Sequence, residues 1–173
     1  IKNCMIVANN TGTGYGGVIK GAGSTACYFT MDNSTMEYCW SSGWGGAVLW
    51  AASGGGCKAT FTGCTFQYNY ARYLGGAISS ESVVELKNCT LQNNIAGYGG
   101  GALAAFPFTL TQTEGVADNS TAIGLSLVNN TITNNKTLYA TNYNGANVES
   151  TIRAKESDQS AQGVYLQQNG YFN

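Results

Sequence analysis

Residues 66–69 read Phe-Gln-Tyr-Asn, and residues 75–78 read Gly-Gly-Ala-Ile. This pair of motifs recurs along the chain with conservative changes. Its copies start 30, 30, 25, 41 and 34 residues apart, at Asn3, Asn33, Gly63, Asn88, Asn129 and Gly163. Self-similarity at periods of about 20 to 50 residues is typical of solenoids, in which each repeat buries its apolar side chains by stacking on the next repeat.

The apolar positions predict the fold. Three positions after each start, every residue is apolar: Ile6, Met36, Phe66, Leu91, Ile132 and Leu166. Before most starts, apolar residues alternate with other residues at period two, as in a strand with one buried face. We therefore predict a single all-β domain over residues 1–173, a right-handed single-stranded parallel β-helix of about five to six coils.

A second column lies six positions after each start and holds mostly asparagine. Its amides are expected to form a ladder inside the turn, where backbone groups cannot reach water. The members of this predicted ladder are Asn9, Asn69, Asn94, Asn135 and Asn169, with Cys39 in the second repeat. The 41-residue spacing predicts a loop excursion at 106–121 around Pro107, and poor motif matches predict a degenerate last coil at 148–173.

The paired motifs resemble the FxxN and GGAI motifs of the chlamydial polymorphic membrane protein repeat. The match is closest at residues 66–69 and 75–78, and Cys39 departs from it. The resemblance implies a surface-exposed β-helix of the kind that acts as an adhesin in autotransporters. Similar repeats occur in large extracellular proteins of algae and other microbes, so the expected location is extracellular or at the cell surface, and adhesion is implied by analogy.

Composition narrows the classes of partner. Lysine and arginine number 8 and acidic residues 9, so the net charge of −1 favours neither nucleic acid nor an anionic membrane. No apolar run approaches the roughly 20 residues of a membrane span, so no membrane insertion is expected. Charged residues make up 10% of the chain, against about 25% in ordinary domains. Such a surface favours self-association, contact with other surface proteins, or a covering of glycans.

The cysteines allow two predictions. Cys27 and Cys57 share one column of adjacent repeats, and Cys64 and Cys89 share another. Stacked residues about 4.8 Å apart at Cα fall within the range of disulfides, so two inter-coil disulfides are candidates in an oxidising compartment. The alternative is a ladder of buried free thiols. With no histidine and no Cys-x-x-Cys, neither a zinc site nor any other cofactor is expected.

Several asparagines stand in glycosylation sequons. Asn9 and Asn135 belong to the predicted inward ladder and are expected to be blocked. The remaining candidates share an outward corner column or lie in the excursion: Asn33, Asn88, Asn119 and Asn129.

An enzyme and an ice-binding protein are alternatives. A polysaccharide lyase or hydrolase needs a carboxylate pair or acidic calcium ligands, and no two acidic residues share a column of the repeat, although loops could bring Glu114 and Asp118 near one coil. Ice binding would use a rank of threonines at Thr35, Thr65, Thr90 and Thr131, although the neighbouring rank is mostly glutamine. The alternative explanation of that rank is β-propensity on an exposed strand.

An aromatic stripe is the favoured contact surface. Stacked rings either pack the turn or bind sugars or a neighbouring subunit. The stripe comprises Tyr15, Trp40, Trp44, Tyr70, Tyr73 and Tyr98. The sequence therefore favours a non-enzymatic structural or adhesive β-helix in a surface assembly or filament, with a monomeric glycan-binding adhesin as an alternative.

Overall fold

The computed structural model describes residues 1–12, 16–23, 27–52, 57–105, 123–138, 164–166 and 170–172. In these residues the regular structure is all β-strand, and no helix is long and apolar enough to cross a membrane. The excursion predicted at 106–121 lies outside the described residues, as does most of the last coil predicted at 148–173.

The strands form four parallel sheets, sheets 1 to 4. Sheet 1 contains β1 (Met5–Val7), β4 (Thr35–Glu37), β8 (Thr65–Gln67), β12 (Thr90–Gln92) and β16 (Thr131–Thr133). Sheet 2 contains β5 (Trp40–Ser41), β9 (Tyr70–Ala71), β13 (Ile95–Ala96) and β17 (Lys136–Thr137). Sheet 3 contains β2 (Ile19–Gly23), β6 (Val48–Ala52), β10 (Ile78–Ser80), β14 (Leu103–Ala105) and β18 (Val164–Leu166). Sheet 4 contains β3 (Tyr28–Asp32), β7 (Lys58–Thr62), β11 (Val83–Lys87), β15 (Ile123–Val128) and β19 (Gly170–Phe172).

The chain passes through sheets 1, 2, 3 and 4 in turn and then returns to sheet 1, one strand further along. We call one such passage a coil. In sheet 1, Met36 pairs with Ile6 and Phe66, and Leu91 pairs with Phe66 and Ile132. This is the register that the repeat predicts. The course of the chain is compatible with a β-helix or solenoid, and it places equivalent residues of successive coils in columns.

The core lies between the sheets and is built from the predicted apolar columns. Phe61, Phe66, Ile78 and Leu91 are among its fully buried side chains. The rings of Phe61 and Phe66 meet edge to face, with centroids 5.3 Å apart. Strands β7, β8 and β12 of sheets 1 and 4 alternate between buried and half-buried residues, because one face packs on this core and the other faces outward.

Two adjacent glycines turn the chain from sheet 2 into sheet 3, and we call this turn the glycine corner. The first glycine of each pair has positive φ, for example 68° at Gly75, a conformation that side chains strain. The second has no room for a side chain. A Cβ on Gly76 would lie 2.0 Å from the carbonyl oxygen of Gly101 in the next coil. The glycine corner therefore brings backbones of successive coils into direct contact.

The last repeat differs from the predicted alignment. Aligning Gly163 with the other repeat starts puts Leu166 in sheet 1, stacked on Ile132. The backbone of Val164–Leu166 instead pairs with Leu103–Ala105 in sheet 3. A period-two apolar pattern fits a strand of either sheet, and this repeat offers little else to fix its register. The alignment of Asn169 with the asparagine column is therefore not supported, and Asn169 itself lies outside the described residues.

Candidate contact surface

The turn from sheet 1 to sheet 2 has two positions with different roles, and we call it the asparagine corner. The first position has positive φ in every described coil. Its residues are Ala8 (54°), Tyr38 (54°), Tyr68 (55°), Asn93 (56°) and Asn134 (55°). The second position is the predicted asparagine ladder. The left-handed residue bends the chain so that the next residue is directed into the turn.

The inner position forms a continuous amide ladder over three coils. Asn69, Asn94 and Asn135 are at most 6% exposed. Asn94 Oδ1 accepts from the backbone N–H of Asn69 at 3.0 Å and from its Nδ2 at 2.9 Å. Asn135 Oδ1 accepts the same two bonds from Asn94, each at 2.9 Å. Asn94 Nδ2 also donates to the carbonyl oxygen of Phe66 at 3.0 Å. Buried backbone groups of the turn are thereby satisfied.

The ladder stops at Cys39, and Asn9 does not continue it. The Cys39 N–H donates to Asn69 Oδ1 at 3.0 Å, but Cys39 has no amide to offer the coil before it. Asn9 follows the edge strand of sheet 1 and is exposed, and the expectation that its sequon is blocked stays a prediction. Asn135 is buried, as expected of an inward residue. Burial raises the pKa of the Cys39 thiol, which therefore stays protonated at neutral pH.

Three rings of the predicted aromatic stripe pack the glycine corner. Trp44, Tyr73 and Tyr98 form a column, with centroids 6.0 Å and 6.1 Å apart. They pack against buried Leu74 and Ala104. Every residue of β10 and β14 is buried, and the contact with Ala104 places these rings against β14 of sheet 3. These three side chains are half-buried and pack the glycine corner, and their contact with a partner stays a prediction.

One predicted pair forms a ladder on the outer side of sheet 2. Trp40 and Tyr70 stack with centroids 6.0 Å apart and an interplanar angle of 14°. Both side chains are half-buried, whereas their strand neighbours Ser41 and Ala71 are fully buried. Tyr15, the remaining member of the predicted stripe, lies outside the described residues.

The most exposed stacked pair was not predicted. Tyr38 and Tyr68 occupy the outer position of the asparagine corner and are 55% and 45% exposed. Their centroids are 5.1 Å apart and their planes differ by 7°. The available signal was a tyrosine directly before the Asn column in two successive repeats. The predicted stripe was drawn from rings near the glycine pairs and so omitted it.

A polar ladder runs beside these two tyrosines. Gln92 Nε2 donates to Gln67 Oε1 at 2.8 Å, and Gln67 Nε2 donates to Glu37 Oε2 at 2.5 Å. These side chains occupy the rank next to the threonine rank, in which Thr65 pairs with Thr35 and Thr90. The second rank is therefore a ladder of amides and not a flat threonine surface. This arrangement favours the β-propensity explanation of the threonines over ice binding.

The sequon column has a conformational explanation. Asn33, Asn88 and Asn129 are exposed and have φ of 46°, 54° and 54°. Asparagine tolerates this left-handed region better than most residues, and Gly63 takes the same position in another coil. The threonine two residues later belongs to sheet 1. Backbone requirements alone therefore produce a sequon at this corner, and glycosylation stays a prediction. Asn119 lies outside the described residues.

Cys27 and Cys57 lie in register in adjacent coils. The Lys58 N–H donates to the Cys27 carbonyl oxygen at 2.8 Å, and the two sulfur atoms are 2.7 Å apart. Both residues are thiols in the structure. The hydrogen bond to Cys57, together with burial, raises the pKa of Cys27 to about 11. A disulfide between them stays a prediction.

Cys64 and Cys89 also lie in register, and each thiol interacts with the other thiol and with a carbonyl oxygen. Cys64 Sγ donates to the Met31 carbonyl oxygen at 3.2 Å, and Cys89 Sγ donates to that of Phe61 at 3.4 Å. The Cys64 side chain and burial raise the pKa of Cys89. This pair resembles the ladder of buried thiols more than the first pair does, and its disulfide likewise stays a prediction.

Acidic groups are scattered over the described residues. Glu85 pairs with Lys58 at 2.7 Å, and Asp32 with Lys2 at 3.6 Å. Within the described part of the chain, no group of three or more His, Cys, Asp or Glu side chains could hold a metal ion. Glu114 and Asp118, which carried the enzyme alternative, lie outside the described residues.

Comparison with protein-family models, with curated proteins and with solved structures finds no match to this chain. The resemblance to the polymorphic membrane protein repeat therefore depends on the motif residues themselves. It stays a prediction, as do the adhesive function and extracellular location that it implies.

Proposed function

We propose that the chain is a right-handed β-helix of about six coils with a polymorphic-membrane-protein-like repeat, acting outside the cell without catalysis. Its function would be structural or adhesive, as a subunit of a surface assembly or filament. The observation that carries this proposal is the outward ladder of Trp40 on Tyr70, held on a parallel sheet.

The physical argument starts from the rigidity of the scaffold. Backbone hydrogen bonds and the inner amide ladder join successive coils, so outward side chains are held at a fixed spacing. Aromatic rings supply large contact areas and lose little conformational entropy when they are already positioned. A surface with 10% charged residues has little electrostatic repulsion to keep neighbouring subunits apart.

Electron microscopy of the native, unfractionated material that contains this chain would test the proposal. We expect regular filaments or sheets with a subunit repeat. Dispersed single particles would contradict the assembly.

A matched pair of variants tests whether the stacked rings of sheet 2 form the contact between subunits. Trp40→Ser combined with Tyr70→Ser should abolish assembly, since it removes the stacked rings of sheet 2. Tyr28→Ser should leave assembly intact, because it removes a tyrosine that is 75% exposed and lies on sheet 4 instead. Circular dichroism would verify that both proteins keep their strands. Assembly that persists in the double variant would place the contact elsewhere.

A second candidate function is a monomeric adhesin that binds glycans. The exposed stack of Tyr38 on Tyr68 favours it, because such rings suit sugar faces as well as protein partners. Dispersed particles in the microscope would favour this candidate over the assembly.

A further inference from the structure

Two tyrosines occupy a backbone position that suits them poorly. At the outer position of the asparagine corner, Asn93 and Asn134 have φ of 56° and 55°, and Tyr38 and Tyr68 have 54° and 55°. Asparagine is several-fold enriched in this left-handed region, whereas a bulky side chain is uncommon there. The backbone explains asparagine at this position, but it does not explain tyrosine in two successive coils. Strained residues of this kind often serve function.

The two rings form an open platform. Their planes are nearly parallel, and about half of each residue is exposed. Ala8 precedes Tyr38 in the column, and Asn93 follows Tyr68. Both neighbours have shorter side chains than tyrosine, and the two tyrosines stay about half exposed. Burial of these rings therefore does not explain why tyrosine is kept at a strained position.

The polar ladder borders the platform along its length. Glu37, Gln67 and Gln92 each stand one residue before the outer corner position, and hydrogen bonds join them into a row. Each glutamine amide has two N–H donors and two lone pairs, so the ladder keeps capacity for a ligand. An aromatic stack beside amides and one carboxylate offers both an apolar face and hydrogen-bonding groups.

The charge of this surface selects the ligand class. The outer corner column and the rank before it contain Val7, Ala8, Glu37, Tyr38, Gln67, Tyr68, Gln92, Asn93, Thr133 and Asn134. Glu37 is the one acidic residue among them, and neither column contains lysine or arginine. A polyanion would find no cation here, whereas a ligand with apolar ring faces and many hydroxyl groups would satisfy both rings and amides.

We propose that Tyr38 and Tyr68 form a stacking platform for the rings of a neutral sugar chain, with Glu37, Gln67 and Gln92 bonding its hydroxyls. This inference deepens the adhesive form of the proposed function and rests on it. It assigns the sugar contact to the asparagine corner and leaves the rings of the glycine corner to packing.

Affinity electrophoresis of the full chain tests the platform. The gels would contain a neutral β-glucan, a neutral mannan or a neutral xylan as probes, with anionic polygalacturonate as the charged comparison. We expect at least one neutral probe to retard the protein and polygalacturonate not to. The double variant Tyr38→Asn, Tyr68→Asn should bind that probe at least about tenfold more weakly.

Asparagine is chosen because the chain itself places it at this φ, so the variant is expected to fold. Tyr28→Asn, which removes a highly exposed ring on sheet 4, should retain full binding. Retardation that the double variant leaves unchanged would overturn the platform. So would retardation by polygalacturonate alone, or by none of the probes.

Electron microscopy separates this result from the proposed assembly. Filaments together with no retardation would overturn the platform and leave the structural function standing. Retardation that depends on both tyrosines, together with dispersed particles, would support the platform and overturn the assembly. Self-association that the double variant alone abolishes, without retardation, would mean that the rings contact a second copy, and it would overturn the sugar ligand.

Discussion

The glycine corner and the asparagine corner lie on either side of sheet 2 and join successive coils by different means. At the glycine corner, backbone meets backbone, and Gly76 leaves no space for a Cβ against Gly101. At the asparagine corner, the side chains of Asn69 and Asn94 fill the turn and bond it. The two corners therefore differ in which amino acids they tolerate. A turn filled by backbone tolerates glycine alone, whereas a turn supported by an inner side chain leaves its outer position open to other residues.

The largest expected effect is at the glycine corner. Gly76→Ala should destabilise the protein by roughly 5 kcal/mol or prevent folding, because the new Cβ meets a backbone oxygen that cannot move alone. Urea unfolding would measure it. Gly12→Ala is the control, since Gly12 has φ of 49° with nothing within 4 Å of the added Cβ, and it should cost about 1 kcal/mol. Equal losses in both variants would refute the close-contact argument.

Breaking the inner ladder should have the next largest effect. Asn94→Ala removes the partners of buried groups on Asn69, Phe66 and Asn135, so we expect a loss of about 4 kcal/mol in the free energy of unfolding. Gln92→Ala removes an amide from the half-buried outer ladder and should cost under about 1 kcal/mol. If the two variants are equally stable, the inner ladder is not what holds the asparagine corner.

A buried carboxyl outside both corners provides a pH test. Burial raises the pKa of Glu81 from 4.5 to about 7, with a smaller opposing effect of Lys20. The folded state therefore binds this proton more tightly than the unfolded state. Stability should be highest below about pH 4.5 and fall as the pH rises through 7, by about 3 kcal/mol for this group.

Glu81→Gln would isolate this contribution. At pH 8 the variant should be more stable than the wild type by about the same 3 kcal/mol, and at pH 4 the two should be nearly equal. Thermal unfolding at both pH values measures the difference. A stability difference that does not change with pH would show that Glu81 is solvated in the folded protein.

The smallest expected effect is at the outer position of the asparagine corner. Tyr38→Asn should change the free energy of unfolding by less than about 1 kcal/mol and in the stabilising direction, since asparagine suits φ of 54° better. Tyr38→Val is the contrasting variant and should destabilise, because a β-branched side chain is strained there. Urea unfolding of the two variants would measure the difference. A large loss in the asparagine variant would show that the ring stack itself holds the fold.

Much of the fold followed from patterns in the sequence. The spacing of Ile6, Met36, Phe66 and Leu91 predicted the register of sheet 1, because apolar residues must stack to be buried. The same apolar pattern led to the wrong alignment of the last repeat. Apolar alternation does not distinguish one sheet from another when the motif around it is degenerate.

The candidate surface was predicted less completely. A stripe of rings in sequence does not say which rings face solvent. Trp44 and Tyr98 pack against Leu74 and Ala104, and contacts of this kind between coils are not visible in the sequence. Asn9 likewise matches the ladder motif, but the neighbouring coil has Cys39 instead of asparagine. The row of bonded amides that begins at Asn69 therefore does not reach Asn9.

The sequence by itself determined the repeat, the apolar columns and the inward asparagines, because each depends on periodicity within one chain. Tertiary structure alone decided which tyrosines are exposed, that Tyr38 and Tyr68 share a strained backbone position, and that the Cys64 and Cys89 thiols bond carbonyl oxygens. These properties arise between coils, where the space left by one residue is set by the residue stacked on it 25 to 41 positions away.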